Sequence, residues 1–540
     1  MKKTKIILIA LWVVFAGTLQ AADKNDRYFE ISKNLDVFNS LFRELDLFYV
    51  DTIDAKTLVR SAIDNMLEEL DPYTTYIPES ELKDFEYMTT GEYGGVGALI
   101  GKKGDSIIIL EPYENMPAQK NDLRGGDVIT EINGKRLKNT SVTDVSEMLK
   151  GQPGEVVSVT VKRAGKSIKK SIVREKIQIN AVDYSAVYNN VGYIRLSGFT
   201  DKSSEELKRA LTELKAKNEL KGLVLDLRSN PGGIIDEAVN ICSLFVPKGT
   251  AVVSMKGRDA QRDKTYKTLS EPIEATLPLV VLVNGMSASA SEIVAGALQD
   301  LDRATIVGSR TFGKGLVQST RAVGFNDYLK VTTAKYYTPS GRCIQEIDYE
   351  HKDEDGNAKR IPDSLTHEFK TAKGRTVRDG GGIAPDTLLA EPETLNITYR
   401  LVADYLIFDY VTAYVQKHPK IAPIDEFVYT DEEYEDFKKF LKQRKFTYEL
   451  KSVELLKRLK DIIKIEGYAE LSETEFAALE DKLKPDTDKD LEIFKTDIKE
   501  LISIEIAKRY YYQKGEIRET LKYDEGLRKA LEIINFNRQQ

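Results

Sequence analysis

Two almost continuously apolar runs, residues 222–227 and Leu279–Val283, restrict this chain more than any other feature. Neither alternates apolar with polar positions, so neither suits a sheet with one wet face. Both read as strands buried on two sides. Each is followed by a helical pattern, at 234–245 and at 293–298. Further strands are expected at 192–196, 304–308 and 328–337, with a helix at 205–214. This alternation predicts an α/β layer structure over roughly 190–397, with helices covering the sheet. At 540 residues the chain is too long for one ordinary core, and two to four domains are expected.

The first residues have a different texture. Lys2, Lys3 and Lys5 precede an apolar stretch, 6–19, that is short for a membrane span, and Ala21-Ala22 follows. This order predicts a secretory signal over 1–22, cut near Ala21 or Ala22, with an uncleaved anchor as the alternative. The expected location is the cell envelope, in the periplasm, with peripheral membrane association as a further expectation. Losing three lysines and no acid takes the formal net charge from −7 to −10, which argues against a nucleic-acid partner. Cys242 and Cys343 make no zinc pattern, and nothing in the sequence decides whether they pair. No metal or cofactor is expected.

Residues 36–70 carry apolar positions at helical spacing (Val37, Leu41, Leu45, Phe48, then Leu58, Ile63, Met66, Leu67), stopped by Asp71-Pro72. Two packing or dimerisation helices are expected within a segment spanning 23–84. Residues 85–176 turn to short strands and tight turns. Gly94-Gly95-Val96-Gly97 leads into Ala98-Leu99-Ile100, and Leu123-Arg124-Gly125-Gly126-Asp127-Val128-Ile129 into Ile132-Asn133-Gly134. A helix is expected at Val142–Leu149, and a hairpin turns at Ala164-Gly165. Beyond 397 the chain becomes long-helical and charge-rich, without catalytic motifs, and suits assembly, docking or access control.

The chemistry concentrates in three places. Ser287, Ser289 and Ser291 fall where a buried strand meets a helix, a point rich in free N–H groups and positive dipole. Spacing does not choose among the three, and helix capping competes for them. The three histidines, His351, His367 and His418, lie in polar or tail segments, so the base is sought elsewhere. Lys314, between Gly313 and Gly315, is the candidate, and Gln318 could orient its amine without adding charge. In water only about one lysine in a thousand is neutral at pH 7.4, so such a base needs burial without an adjacent carboxylate. Residues 311–318 contain no acid, which fits. Third, Asp226-Leu227-Arg228-Ser229-Asn230-Pro231-Gly232-Gly233 places two glycines before a helix, where N–H groups can face an anion. Gly232, or else Gly233, with the N–H of Ala290 could hold a tetrahedral oxyanion.

Residues 85–176 resemble a PDZ domain. The resemblance implies a carboxylate-binding loop and peptide-adding strand at Gly95, Val96, Gly97, Ala98, Leu99 and Ile100, with Val145 and Leu149 lining a side-chain pocket. The serine, lysine and glycine motifs, together with Gly380-Gly381-Gly382-Ile383 and Pro385-Asp386, resemble the carboxyl-terminal processing proteases, the tail-specific, PDZ-bearing serine peptidases. That resemblance covers roughly 38–386. It implies Ser289 as nucleophile, Lys314 as general base, Gln318 as its positioning partner and an oxyanion hole at Gly232 and Ala290. It also implies an α/β multidomain fold: a crotonase- or ClpP-like core at 177–396 with an inserted PDZ domain, N-terminal helices, and a helical region at 397–540. The expected partners are protein or peptide substrates with a free C-terminus, and a second copy of the chain. In some relatives the PDZ domain also gates the site, and Arg124 is a candidate for carrying that signal. Two other readings compete. A non-catalytic PDZ peptide-binding or chaperone protein would tolerate loss of the dyad. A crotonase-type acyl-CoA enzyme would need a positioned carboxylate, for which Glu292 is the nearby acid.

Overall fold

The computed structural model describes residues 26–82, 90–352, 358–390 and 396–537. The predicted signal segment, 1–22, lies outside them. By internal packing the chain forms two units, 1–76 with 320–331, and 77–319 with 332–540.

In the first unit, residues 26–48 form one helix and α1 (Ala55–Glu68) another. Asp54 caps α1 by accepting from the Lys56 and Thr57 N–H groups. Asp71 then turns the chain by accepting from Tyr73 and Thr74, both at 2.8 Å. The pattern at 36–70 is thus helical as expected, though the first helix begins well before Asp36. Its side chains Phe38, Leu41 and Phe48 are exposed.

The second unit opens with the PDZ sheet. Strands β1 (Ala98–Lys103), β2 (Ser106–Pro112), β3 (Val128–Ile132), β4 (Val156–Arg163) and β5 (Lys166–Val173) lie in that order, and β1 forms an edge. Helix α2 (Val142–Leu149) begins with a capping box in which Ser141 and Asp144 exchange hydrogen bonds. The inward residues Val157, Val159 and Val161 of β4 alternate with outward ones and pack with Ile107, Ile109 and Val145.

The peptidase core is a six-stranded sheet of β6 (Val182–Tyr188), β7 (Val191–Leu196), β8 (Gly222–Asp226), β9 (Leu279–Val283), β10 (Thr305–Gly308) and β11 (Thr387–Leu388), in that order. The β6–β7 pair is antiparallel and the others are parallel. Every residue of β8 and β9 is buried, as their unbroken apolar runs predict. One face (Ile194, Leu223, Leu225, Val281, Val283, Ile306) packs in one core with residues of α3 (Ser203–Lys217), α4 (Ile235–Ser243) and α5 (Ala290–Asp300).

The opposite face is covered from the far end of the chain. Val191, Tyr193, Val224, Val280, Leu282 and Val307 pack against Ile517 and Leu521 of α6 (Lys495–Tyr523) and Leu527, Ala530 and Ile534 of α7 (Glu525–Asn537). The helical tail is therefore partly a layer of the core, which its charge-rich composition did not suggest. A separate apolar cluster of that region includes Ile407, Val411, Tyr434, Phe437 and Ile502. Among the described residues, no helix is long and apolar enough to cross a membrane.

Candidate active site

Ser289 stands at the end of the β9–α5 connection, immediately before the first residue of α5. Its backbone has φ +56° and ψ −113°, a conformation that L-residues avoid and that recurs at functional sites. Its two neighbouring serines are otherwise engaged. Ser287 donates to Leu227 O at 2.8 Å, and Ser291 donates to Asn230 O at 2.9 Å. Both are buried and tie the serine loop to the glycine loop, whereas Ser289 is only partly buried. The structure thus separates three serines that spacing left equivalent.

A single carboxylate joins the Ser289 and Lys314 segments. Glu292 Oε2 accepts from the Ser289 N–H at 2.8 Å and the Lys314 N–H at 2.9 Å. Its Oε1 accepts from the Gly313 N–H at 2.7 Å and the Thr311 hydroxyl at 2.6 Å. Tyr336 makes a second link, its hydroxyl donating to Ser289 O at 3.1 Å and to Lys314 O at 2.5 Å. Two side chains therefore fix the backbone of both proposed reactive residues. Lys314 itself is partly buried. The glycine beside it is needed for close approach: a Cβ on Gly315 would sit 2.8 Å from the Gln345 nitrogen. The expectation that no acid adjoins this lysine holds for 311–318 but not in space, since Glu292 reaches its backbone from α5. Gln318 lies on the strand Leu316–Gly324, where its Nε2 donates to Thr332 Oγ1 at 3.2 Å.

Burial pushes the Glu292 carboxyl up to about 7, against the four donors that favour its ionised form. Its folded pKa thus exceeds the ordinary 4.5, so its contribution to stability is fullest below pH 4.5 and is lost as pH rises toward 7. Activity should run the other way, because only the carboxylate accepts from all four donors. Glu292→Gln should therefore lower kcat by about 10²-fold, since an amide nitrogen would face two N–H or O–H donors and displace the Ser289 and Lys314 segments. Steady-state kinetics at pH 8 check this; a wild-type kcat would remove Glu292 from the arrangement.

The glycine loop closes the other side. A Cβ on Gly232, at φ +99°, would lie 2.8 Å from Ser289 Cβ and 2.9 Å from the Ala290 nitrogen, so only glycine fits against the serine. Asn230 is wholly buried and organises this loop. Its Nδ2 donates to Leu196 O at 2.8 Å, and its carbonyl accepts from the Ala288 N–H at 3.0 Å. Its Oδ1 accepts from the Gly232 N–H at 2.9 Å. The Gly232 donor expected to face an oxyanion is thus directed to Asn230 in this structure. Ala290 is the first residue of α5, where a backbone N–H has no intrahelical acceptor. At the base of the loop, Asp226 accepts from Tyr193 Oη at 2.6 Å and from Arg228 Nη2 at 2.6 Å. Burial alone would raise the Asp226 carboxyl, but the Arg228 guanidinium beside it holds it below the usual range.

Elsewhere the sequence-predicted residues are spread more widely. The three histidines each engage partners outside this cluster: His351 faces Asp348, His367 faces Asp379, and His418 stacks on Tyr414. In the PDZ domain, Val96, Val145 and Leu149 are 3%, 0% and 6% exposed and belong to its apolar core. Val145 thus lies between α2 and the sheet, in the same cluster as Val96, Ala98 and Ile100. Gly95 and Gly97 are buried, Ala98 and Ile100 half-buried, and Leu99 exposed on the edge strand. Arg124 is bound to Asp122 at 2.6 Å. Its turn meets the C-terminal helices, not the serine. Cys242 and Cys343 are both free thiols. Among the described residues, no group of three or more His, Cys, Asp or Glu is arranged to hold a metal ion.

Glu292, Tyr336 and Asn230 carry much of this geometry and were not singled out as its organisers by sequence. For Glu292 a signal existed: Ser289-x-x-Glu292 before an apolar run is a capping-box pattern. Apart from the bond of Asn230 to Gly232, Tyr336 and Asn230 act through partners 22 to 61 residues away, which no local pattern announces.

Three family models match the chain: peptidase family S41 at 190–352, a PDZ domain at 108–163, and the probable PDZ-protease C-terminal helical domain at 397–534. A carboxy-terminal-processing protease of Bartonella bacilliformis is 37% identical over 347 residues, which is 63% of this chain and 79% of that protein. A probable CtpA-like serine protease of Staphylococcus aureus is 37% identical over 345 residues, 63% of this chain and 68% of that one. Among solved structures, a photosystem II D1 C-terminal processing protease shares 31% identity, covering 66% of this chain and 87% of that one, with a TM-score of 0.37.

Proposed function

Because this chain belongs to peptidase family S41, as a C-terminal processing serine protease with a PDZ domain and a C-terminal helical domain, we propose that it cleaves by an acyl-enzyme route on Ser289 and Lys314. The observation that carries this reading is the shared anchorage of the two residues by Glu292 and Tyr336. Neutral Lys314 takes the proton from Ser289 Oγ as that oxygen attacks the scissile carbonyl. The resulting oxyanion meets the Ala290 N–H, and the Gly232 N–H once that donor leaves Asn230 Oδ1. Collapse expels the amine, which receives its proton from the Lys314 ammonium. Water, deprotonated by the same lysine, then releases the acyl group. Gln318 Oε1 is the atom suited to accept from the lysine amine, since Nε2 is turned to Thr332.

The free edge of β1 suits addition of a substrate strand, with the terminal carboxylate at 95–97. The core is read as crotonase- or ClpP-like. On this reading the domains run 23–84, 85–176, 177–396 and 397–540. The basic start and apolar stretch at 1–22 support export to the cell envelope, as periplasmic enzyme or anchored form, and the exposed helix at 26–48 supports a homo-oligomer.

A reporter with a free apolar C-terminus should be cleaved at least about tenfold faster than its C-terminally amidated twin, because the charged terminus adds about 1.4 kcal/mol or more of binding. Mass spectrometry of the products gives the cut position. Equal rates for the two reporters would refute tail recognition. Binding without turnover would favour the peptide-binding reading. As for the acyl-CoA alternative, both Glu292 oxygens are already committed to loop anchorage, which weighs against it.

A further inference from the structure

The PDZ domain and the glycine loop are both fastened to one helix, α6. On the PDZ side the turn Arg124-Gly125-Gly126-Asp127 lies directly against the C-terminal helices. A Cβ on Gly125 would be 2.6 Å from Arg509 Nη1, and one on Gly126 would be 2.6 Å from Thr412 Cγ2. The neighbouring Gln119 donates to Tyr512 Oη at 2.8 Å. Lys508 faces Glu111 at 3.5 Å, and Lys514 faces Glu114 at 3.7 Å. A cavity of about 480 Å³ lies along this junction, lined in part by Arg124, Thr412, Lys508 and Tyr512.

The helix then breaks. Tyr512 has φ +54° and ψ −156°, outside helical geometry, in the middle of Lys495–Tyr523. Beyond the kink its contacts pass to the peptidase core. Gln513 donates to Asp183 Oδ2 at 3.3 Å, and Ile517 and Leu521 lie on the sheet. At the end of the helix, Asp524 Oδ2 accepts from Arg228 Nη1 at 2.7 Å. Arg228 has its other edge on Asp226 and begins the run to Asn230 and Gly232. Tyr512 and Asp524 are twelve residues apart, about 18 Å of helix.

We infer that α6 couples the PDZ domain to the glycine loop, with the Tyr512 kink as its joint and Asp524 as a positioning residue acting through Arg228. The two states are PDZ docked on the first half of α6 and PDZ released or shifted by peptide; the kink absorbs the difference. Coupling of this kind typically changes the distal property by about 5- to 150-fold. The inference rests on the tail-binding reading of the PDZ domain.

The test uses the full chain and a short fluorogenic peptide amidated at its C-terminus, so that it does not itself occupy the PDZ domain. A second, uncleavable peptide with a free apolar C-terminus is added in trans, and its binding is followed separately by anisotropy. In wild type, bound peptide should change kcat at least about 5-fold. Tyr512→Phe, which removes only the hydroxyl bonded to Gln119 in the docked state, should keep peptide binding, move basal kcat toward the peptide-bound value and so lower the response below about 2-fold, under the usual coupling range. Asp524→Asn should lower basal kcat about tenfold with KM within about 2-fold, the pattern of a lost transition-state interaction. An unchanged response in Tyr512→Phe, wild-type kcat in Asp524→Asn, or peptide that binds wild type without altering kcat would each overturn the coupling. Failure of the peptide to bind at all would instead overturn the tail-binding reading, and the coupling with it.

Discussion

Ser289→Ala and Lys314→Ala are each expected to lower kcat/KM on a tailed reporter by at least about 10³-fold, with the fold intact. Alanine at 289 inherits the same positive φ and leaves the Glu292 bond to its N–H in place, so the melting temperature should hardly move. Lys314→Arg should be as inactive as Lys314→Ala, because a guanidinium does not release a proton near neutral pH and so has no base to offer. That third variant separates a base from a mere positive charge. Restored activity in Lys314→Arg would mean that the cation, not its free pair, matters. Turnover above a tenth of wild type in either alanine variant would remove the dyad assignment altogether.

The second large effect concerns the tail. A chain ending at Tyr512 should lose the folded peptidase core, not just its regulation. Truncation there removes Ile517, Leu521, Leu527, Ala530 and Ile534 from one face of the sheet. Four of these are large apolar side chains worth about 1.5–3 kcal/mol each when buried. Their loss matches most of the roughly 5–15 kcal/mol by which a domain is stable. Amide exchange in β7–β10, measured by mass spectrometry, should change from the slowest in the molecule to near unprotected. A truncated chain with native protection in those strands would show that the second face does not need this cover. Removal of the helices Lys451–Glu466 and Ala469–Lys482 is the matching control, since among their described residues Leu456 alone is buried.

The parts of this molecule legible in sequence are those governed by neighbours in the chain. The runs at β8 and β9 announced two-sided burial, and α2 has the limits expected of it, with Ser141 and Asp144 capping its start. Other helix ends moved by a few residues: the pattern at 293–298 belongs to a helix that begins at Ala290, because Gly285–Ser289 turn tightly around Ser287. Less legible was everything set by long-range pairing. What covers β7–β10 on their second face lies more than two hundred residues downstream of β10. Its signal was present in Leu527, Ala530 and Ile534, which share a helical stripe, but spacing names no partner. A resemblance supplies which helix borders a pocket, while the orientation of each side chain depends on how that helix rolls against its own sheet.

The location of α7 also sets an order of events during synthesis. Strands β6 to β10 leave the ribosome long before residues 525–537, yet one side of their sheet has no cover until those residues arrive. The loops that carry Gly232 and Ser289 follow β8 and β9, so their geometry waits on the same arrival. A nascent chain carries Ser289 and Lys314 for more than two hundred residues of translation without a finished sheet beneath them. The geometry around Ser289 and Lys314 is therefore complete only once the last helix has docked.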